Sequence, residues 1–131
     1  MSDADLVAAA ITAMSHAYAP YSTFCVGAAI RDENGQIHSG ANVENAAYPQ
    51  GACAEVGAIS AMIMAGGRKI DAIAIAGNGD ILCTPCGGCR QRIREFAEAS
   101  TPIVIADTTG ERKRFTLAEL LPHSFGPDNL R

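Results

Sequence analysis

Ile70-Asp71-Ala72-Ile73-Ala74-Ile75-Ala76 is the stretch that decides the fold. Isoleucine recurs through it at 70, 73 and 75, the mark of a strand, and helical patterns stand on both sides. Upstream, a run that starts near Cys53 passes through Val56, Ile59, Ala61 and Met64 and ends at Gly66-Gly67, where glycine terminates a helix. That run carries almost no charge, so the reading is a centrally buried helix. Downstream, Pro85 can open another helix, with Ile93, Phe96 and Ala97 inside and Arg92, Arg94 and Glu95 mainly outside. Strands joined through helices enter a shared sheet by right-handed crossovers.

Further out, Ser2 or Asp3 can cap a first helix in which Leu6, Ala10, Ala13 and Ala17 share a face, with Val7 and Met14 beside them, before Pro20 stops it. From Phe24 the period becomes two, with Phe24, Val26, Ala28 and Ile30 on one face of a strand. Asp32-Glu33-Asn34-Gly35 is a turn signal, which returns the chain as a second strand from Ile37 to Val43. Near the C-terminus Ile103-Val104-Ile105 reads as a fourth strand, Thr109-Gly110 as a turn and Lys113-Arg114-Phe115 as a short fifth strand. Thr116-Leu117-Ala118-Glu119 has the pattern of a capping box, opening a last helix that Pro122 closes. The order α-β-β-α-β-α-β-β-α predicts an α/β fold, a three-layer α/β/α sandwich around a mixed five-stranded sheet. A chain of 131 residues fits one domain, spanning residues 1–131.

Composition narrows the function classes. A net charge of -4 argues against a general phosphate-binding surface and hence against nucleic acid as a partner. The short cluster Glu111-Arg112-Lys113-Arg114 reads as a solvated hairpin. The apolar runs are too short and too interrupted to span a bilayer, and a charged-then-apolar leader is lacking, so the expectation is a soluble, cytoplasmic protein without membrane contact. Five cysteines is an odd number. Three of them stand at ligand-like spacing, which favours a reducing compartment and metal use over a disulfide framework.

Those three are Cys53, in Gly51-Ala52-Cys53-Ala54-Glu55, and Cys86 and Cys89, in Pro85-Cys86-Gly87-Gly88-Cys89-Arg90-Gln91. Cysteines at i and i+3 on the first turn of a helix can face one ion, and the partial positive charge of a helix N-terminus stabilises thiolates. Three thiolates suit a tetrahedral zinc with an open fourth position, where a water can ionise near neutral pH. The Cys-x-Glu and Pro-Cys-x-x-Cys pair nearly matches the signature of zinc-dependent nucleobase deaminases, and Glu55, two residues after Cys53, stands where a proton shuttle is needed. A lone acid in an apolar helix is costly unless it has a partner or a task, which makes Glu55 the least ordinary residue of the chain. Three thiolates on a divalent ion leave about -1 of charge, a burden on water ionisation that helix termini offset only in part. Cys83 is close enough in sequence to serve as a fourth ligand, Cys25 reads as a small core residue within a strand, and His16, His38 and His123 lack ligand spacing.

The stretches Ala19-Pro20-Tyr21-Ser22, Val26-Gly27-Ala28, Gly40-Ala41-Asn42-Val43-Glu44-Asn45-Ala46, Cys53-Ala54-Glu55, Pro85 through Gln91, and Leu120-Leu121-Pro122 with Ser124-Phe125 together resemble the cytidine deaminase family in its small, homotetrameric form. The resemblance covers nearly the whole chain. It implies one zinc per chain held by Cys53, Cys86 and Cys89, with Glu55 as the catalytic proton shuttle. Asn42 and Glu44 would grip the ribose hydroxyls, Phe24 would line the pocket, and the backbone at Ala54 would hydrogen-bond the pyrimidine edge. Phe125 would pack on the base of a neighbouring subunit, so that active sites are shared within a homotetramer.

The implied reaction is hydrolytic deamination of cytidine and 2′-deoxycytidine to uridine and 2′-deoxyuridine with release of ammonia, a step of pyrimidine salvage. Two departures stand out: Val56 where many members carry Arg after the catalytic Glu, a charge made up by Arg90 or by nothing, and Pro49-Gln50 in the loop before the zinc cysteine. They keep open a deaminase of the same fold acting on another aminopyrimidine, such as a modified cytidine or a cytosine-containing antibiotic. More distant readings of Cys86 and Cys89 are a thiol–disulfide redox pair or a closed zinc-binding module.

Overall fold

The alternation of 70–76 separates two hydrophobic layers. In the computed structural model, which describes residues 3–131, the elements run α1 (Asp3–Met14), β1 (Val26–Asp32), β2 (Ile37–Ala41), α2 (Ala54–Met64), β3 (Ile70–Gly77), α3 (Gly87–Phe96), β4 (Pro102–Asp107), β5 (Gly110–Thr116) and α4 (Leu117–Leu120). Among the described residues the strands form one five-stranded sheet in the order β2-β1-β3-β4-β5. β3 and β4 pair in parallel through the α3 crossover, and the other neighbours are antiparallel, so the sheet is mixed as expected.

Ile73 and Ile75 of β3, with Ile30, Ile103 and Ile105 from its neighbours, face α2 and α3, where they meet Met62 and Ile93. The opposite face of the same strands offers Ala29, Ala72, Ala74, Ala76 and Val104 to Leu6, Ala10 and Met14 of α1. Each fully buried isoleucine contributes roughly 1.5–3 kcal/mol through apolar area removed from water. Both helical layers lie close on the sheet. A Cβ at Gly27 would stand 2.1 Å from Ala10 O, and one at Gly40 would stand 2.4 Å from Ala58 N, so neither position admits a side chain.

Several boundaries differ from the sequence expectation, each for a local reason. α1 ends at Met14 rather than continuing through Ala17: Ser15 N, His16 N and Ala17 N donate to carbonyls three residues back, in tighter turns, and the Ser15 hydroxyl also bonds Thr12 O at 2.6 Å. Beyond it, Tyr18 N donates to Asn42 O and Tyr18 O accepts from Glu44 N, an extended pairing incompatible with helix. Ser2, one of the two expected caps of this helix, lies outside the described residues, and Asp3 is already helical. β1 begins at Val26, not Phe24, since side chains take part of the hydrogen bonding of the preceding backbone, where Cys25 O still accepts from Asn78 N at 3.2 Å. Asn78 Oδ1 accepts from Cys25 N at 3.1 Å, and Asn42 Nδ2 donates to Phe24 O at 2.9 Å. Cys25 thus precedes the strand and is only half-buried, a correction to its reading as a strand core residue.

β2 stops at Ala41, and Val43 instead exchanges both backbone hydrogen bonds with Ala52. α2 is not buried all round: Ala54, Glu55, Ala58 and Met62 face inward, whereas Met64 is 84% exposed. The expected capping box is present, with Thr116 Oγ1 accepting from Glu119 N and Glu119 Oε1 accepting from Thr116 N. At the β1–β2 turn Gly35 has φ of 78°, a conformation that favours glycine, and buried Asp32 Oδ1 accepts from Asn34 N and Gln36 N. Asp32 Oδ2 pairs with His38 Nε2 at 2.8 Å, so His38 is a half-buried partner in this turn.

Candidate metal centre and pocket

Cys53 and Cys86 occupy equivalent positions, each the N-cap of a helix: Cys53 before α2 and Cys86 before α3. Both have extended backbone (ψ of 156° and 169°), while Cys89 follows in the first turn of α3. The short Val43–Ala52 bridge and the α3 crossover bring the two helix starts together. The Sγ atoms of Cys53, Cys86 and Cys89 lie within 4.8 Å of one another. Zinc–sulfur bonds of about 2.3 Å in tetrahedral geometry place thiolates about 3.8 Å apart, so a small closure seats one zinc on these three sulfurs. Cys83 is not in that cluster. It lines the adjoining pocket, where burial pushes its thiol up to about 11. Among the described residues, the sulfurs that converge leave one tetrahedral position without a protein ligand, which fits neither a two-cysteine redox pair nor a closed structural site.

The electrostatics of the cluster are uneven. Backbone N–H groups of Cys89 and Gly88 hold the Cys86 thiol below its ordinary value, as expected at a helix start. Burial pushes Cys53 up and Cys89 strongly up, and the Glu55 charge adds to both. A divalent cation reverses that preference and makes all three thiolates. Glu55 is 4% exposed, and burial raises its carboxyl, against opposing contributions from its own backbone N–H, the Cys89 thiol and the Arg92 charge. A raised carboxyl is suited to hold and release a proton near neutral pH.

A pocket of about 670 Å³ opens in front of the cluster, lined by Phe24, Asn42, Glu44, Ala54, Glu55 and Cys86 among others. Glu44 accepts hydrogen bonds from Tyr21 N at 2.9 Å, Ser22 N at 3.1 Å and the Ser22 hydroxyl. The Ser22 hydroxyl, then Ser22 N–H, hold the Glu44 carboxyl below its usual range, so it presents a fixed negative charge. Asn42 uses one donor on Phe24 O and one lone pair on Val26 N, and keeps a second donor and a second lone pair for a ligand. Phe24 is 40% exposed and packs over Gly79, where a Cβ would come within 3.0 Å of its ring. Ala54 is the first residue of α2, so its N–H has no intrahelical acceptor. Phe125 stands apart: it is 57% exposed, its carbonyl accepts from Gln91 Nε2 at 2.8 Å, and it does not line this pocket.

Another hollow, about 690 Å³, lies between α3 and the C-terminal segment. It contains none of the thiols, and several of its charges pair with one another, as in Lys69–Glu98 at 3.1 Å and Arg94–Asp128 at 4.0 Å. Chemistry rather than volume identifies the functional pocket.

Sequence reasoning missed one side chain. Arg92, assigned to the outer side of its helix, directs Nη1 to Cys89 Sγ at 3.6 Å. Arg90, the residue offered as the substitute charge, is turned to Pro85 O at 2.7 Å, Leu120 O at 2.8 Å and Thr84 Oγ1 at 3.4 Å. The signal was present in the spacing, since positions three apart share a helix face and Arg92 is three residues after Cys89.

Residues 1–105 match the family model described as "Cytidine and deoxycytidylate deaminase zinc-binding region". The chain is 39% identical over 125 residues to the cytidine deaminase of Sporosarcina psychrophila, covering 95% of this chain and 92% of that one. It is 38% identical over 122 residues to the cytidine deaminase of Mycobacterium tuberculosis strain H37Rv, covering 92% and 87%. Among solved structures, the cytidine deaminase of Burkholderia pseudomallei superposes with a TM-score of 0.89 at 38% identity, over 95% of this chain and all of that one. The M. tuberculosis enzyme superposes with a TM-score of 0.79 at 34% identity, over 96% and 99%.

Proposed function

The chain belongs to the cytidine and deoxycytidylate deaminase zinc-binding family, and from that premise we propose that it is a zinc-dependent cytidine deaminase. It hydrolyses cytidine and 2′-deoxycytidine to uridine and 2′-deoxyuridine, releasing ammonia. The observation that carries this reading is the meeting of three sulfurs, two of which line one pocket together with the buried Glu55 carboxylate, Asn42 and Glu44. When bound by Cys53, Cys86 and Cys89, zinc supplies a Lewis acid that activates water.

The chain's own residues then do the positioning and the proton transfers. Glu55 takes a proton from the attacking water and delivers it to the ring nitrogen N3 as oxygen adds at C4; it then takes the remaining proton of the added hydroxyl and passes it to the amino group, which leaves as ammonia while the C4 carbonyl forms. One carboxylate serving twice is typically worth about 10²–10⁴ in rate. Glu44 accepts from a ribose hydroxyl with a carboxylate already fixed by the 21–22 backbone. Asn42 offers its remaining donor to a second hydroxyl, and the Ala54 backbone meets the pyrimidine edge. Phe24 closes the nucleoside side of the pocket.

The reading extends to a homotetramer with shared active sites. In support, the surface around the pocket is strongly apolar and uncovered, with Tyr48 77% exposed, Tyr18 56% and Val43 53%. Phe125, exposed and remote from its own chain's pocket, is then the residue offered to a neighbour's base. Five free thiols suit a cytoplasmic location, and among the described residues no helix is long and apolar enough to cross a membrane. The test is absorbance loss and ammonia release on adding cytidine to zinc-loaded protein. Turnover of both nucleosides is expected, and activity confined to a modified cytosine would overturn the assignment of substrate.

A further inference from the structure

We propose that Arg92 is a positioning residue for this reaction: its guanidinium donates to the Cys89 sulfur and offsets the negative charge that three thiolates leave on a divalent cation. The proposal rests on the zinc reading above. Arg92 Nη1 lies 3.6 Å from Cys89 Sγ, within range for a charge-assisted N–H···S hydrogen bond. Among the described residues, this is the guanidinium that reaches a sulfur of the cluster. Arg90 is held by two backbone carbonyls and a threonine hydroxyl on the other side of the helix.

The surroundings keep Arg92 in that place. A Cβ at Gly88 would stand 3.3 Å from Arg92 Nη1, so glycine there leaves the room the guanidinium uses. Arg92 also lines a shallow hollow of about 450 Å³ between α2 and α3, together with Val56, Ile59 and Phe96. Val56 immediately follows Glu55 and is half-buried, so the α2 side of the hollow supplies no cation at that position. The compensating charge comes from α3 instead, three residues after the sulfur it serves.

Partners that hydrogen-bond a metal ligand typically change affinity or activity about 10–100-fold when removed. The experiment compares the parent, Arg92→Leu, Arg92→Lys and the double variant Arg92→Leu with Val56→Arg, each loaded with cobalt(II) for spectroscopy and with zinc for kinetics. The parent should show a near-ultraviolet sulfur-to-cobalt charge-transfer band. In Arg92→Leu, loss of the donor raises the energy of the sulfur lone pairs, so the band should move to longer wavelength. The same variant should lose about 10–100-fold in kcat with a smaller change in KM. Arg92→Lys should keep most of both, and Val56→Arg, whose side chain enters the same hollow, should restore both in the double variant.

An unmoved band with parental kcat in Arg92→Leu would overturn the proposal, as would a loss that neither lysine nor Val56→Arg relieves. If Arg92→Leu does not fold, Arg92→Lys against Arg92→Gln makes the same comparison, and equal band positions in those two would overturn it. Absence of the band in the parent would sink the zinc reading itself, which is a separate result.

Discussion

On one face of β3 the inward residues are Ala72, Ala74 and Ala76, covered by α1; on the other they are Ile73 and Ile75, covered by α2 and α3. The alanine face lets a helix settle close to the strands, and its contacts are almost wholly apolar. The isoleucine face packs bulky side chains between its helices and the strands, and it is there that both cysteine-capped helix starts and the buried Glu55 are found. One face supplies attachment. The other supplies a frame stiff enough to bear three sulfurs and a carboxylate whose burial costs stability.

Substitutions on the two faces should therefore differ in kind. The largest effect belongs to Glu55→Gln, which should lower kcat about 10²–10⁴-fold while zinc stays bound and the melting temperature does not fall. Steady-state kinetics with metal analysis checks this, and normal turnover would remove Glu55 from the mechanism. Next, Ile75→Ala should cost about 2–5 kcal/mol in urea unfolding, the usual range for emptying a buried large aliphatic site. On the alanine face the injury runs the other way. Ala74→Val should cost about 1–3 kcal/mol by overpacking against α1, with kcat per folded molecule unchanged. Equal tolerance of enlargement on both faces would erase the distinction drawn here.

The smallest effect concerns how α1 is fastened. Asp3 pairs with Arg114 at 2.6 Å and Arg31 at 2.8 Å, tying the helix to β5 and β1. Arg114 first, and Arg31 next, hold its carboxyl below the ordinary value of 3.8. A depressed carboxylate contributes stability that is present above the unfolded value and lost as pH falls through the folded one. Asp3→Asn should then cost about 0.5–1 kcal/mol at neutral pH, a partly exposed pair being modest, and nothing once the acid is protonated. Unfolding curves at the two pH values check the sign.

Much of this was legible because local signals agreed. The isoleucine period, the Asp32–Gly35 turn and the Thr116–Glu119 box each act within a few residues, and each element they mark is present. The Cys86 and Cys89 spacing is local in the same way, whereas Cys53 joined them through the Cys-x-Glu half of the signature. What the sequence did not carry were long-range substitutions of side chain for backbone. The Asn42 and Asn78 side chains bond the Phe24 and Cys25 backbone beside the single backbone bond from Asn78 N to Cys25 O, and Tyr18 leaves helix to pair with the 42–44 segment. Arg92 was misassigned because a charged residue on an amphipathic helix defaults to solvent, whereas here the nearby sulfur is the stronger attraction. Met64 is exposed because a helix laid on a sheet buries one side, whatever its composition.

X-ray absorption at the zinc edge of the purified protein tests the central claim most directly. The account predicts one zinc per chain, with three sulfur neighbours at about 2.3 Å and a single light-atom neighbour. Four sulfurs, which would bring Cys83 into the shell, or protein that holds no zinc at all, would contradict it.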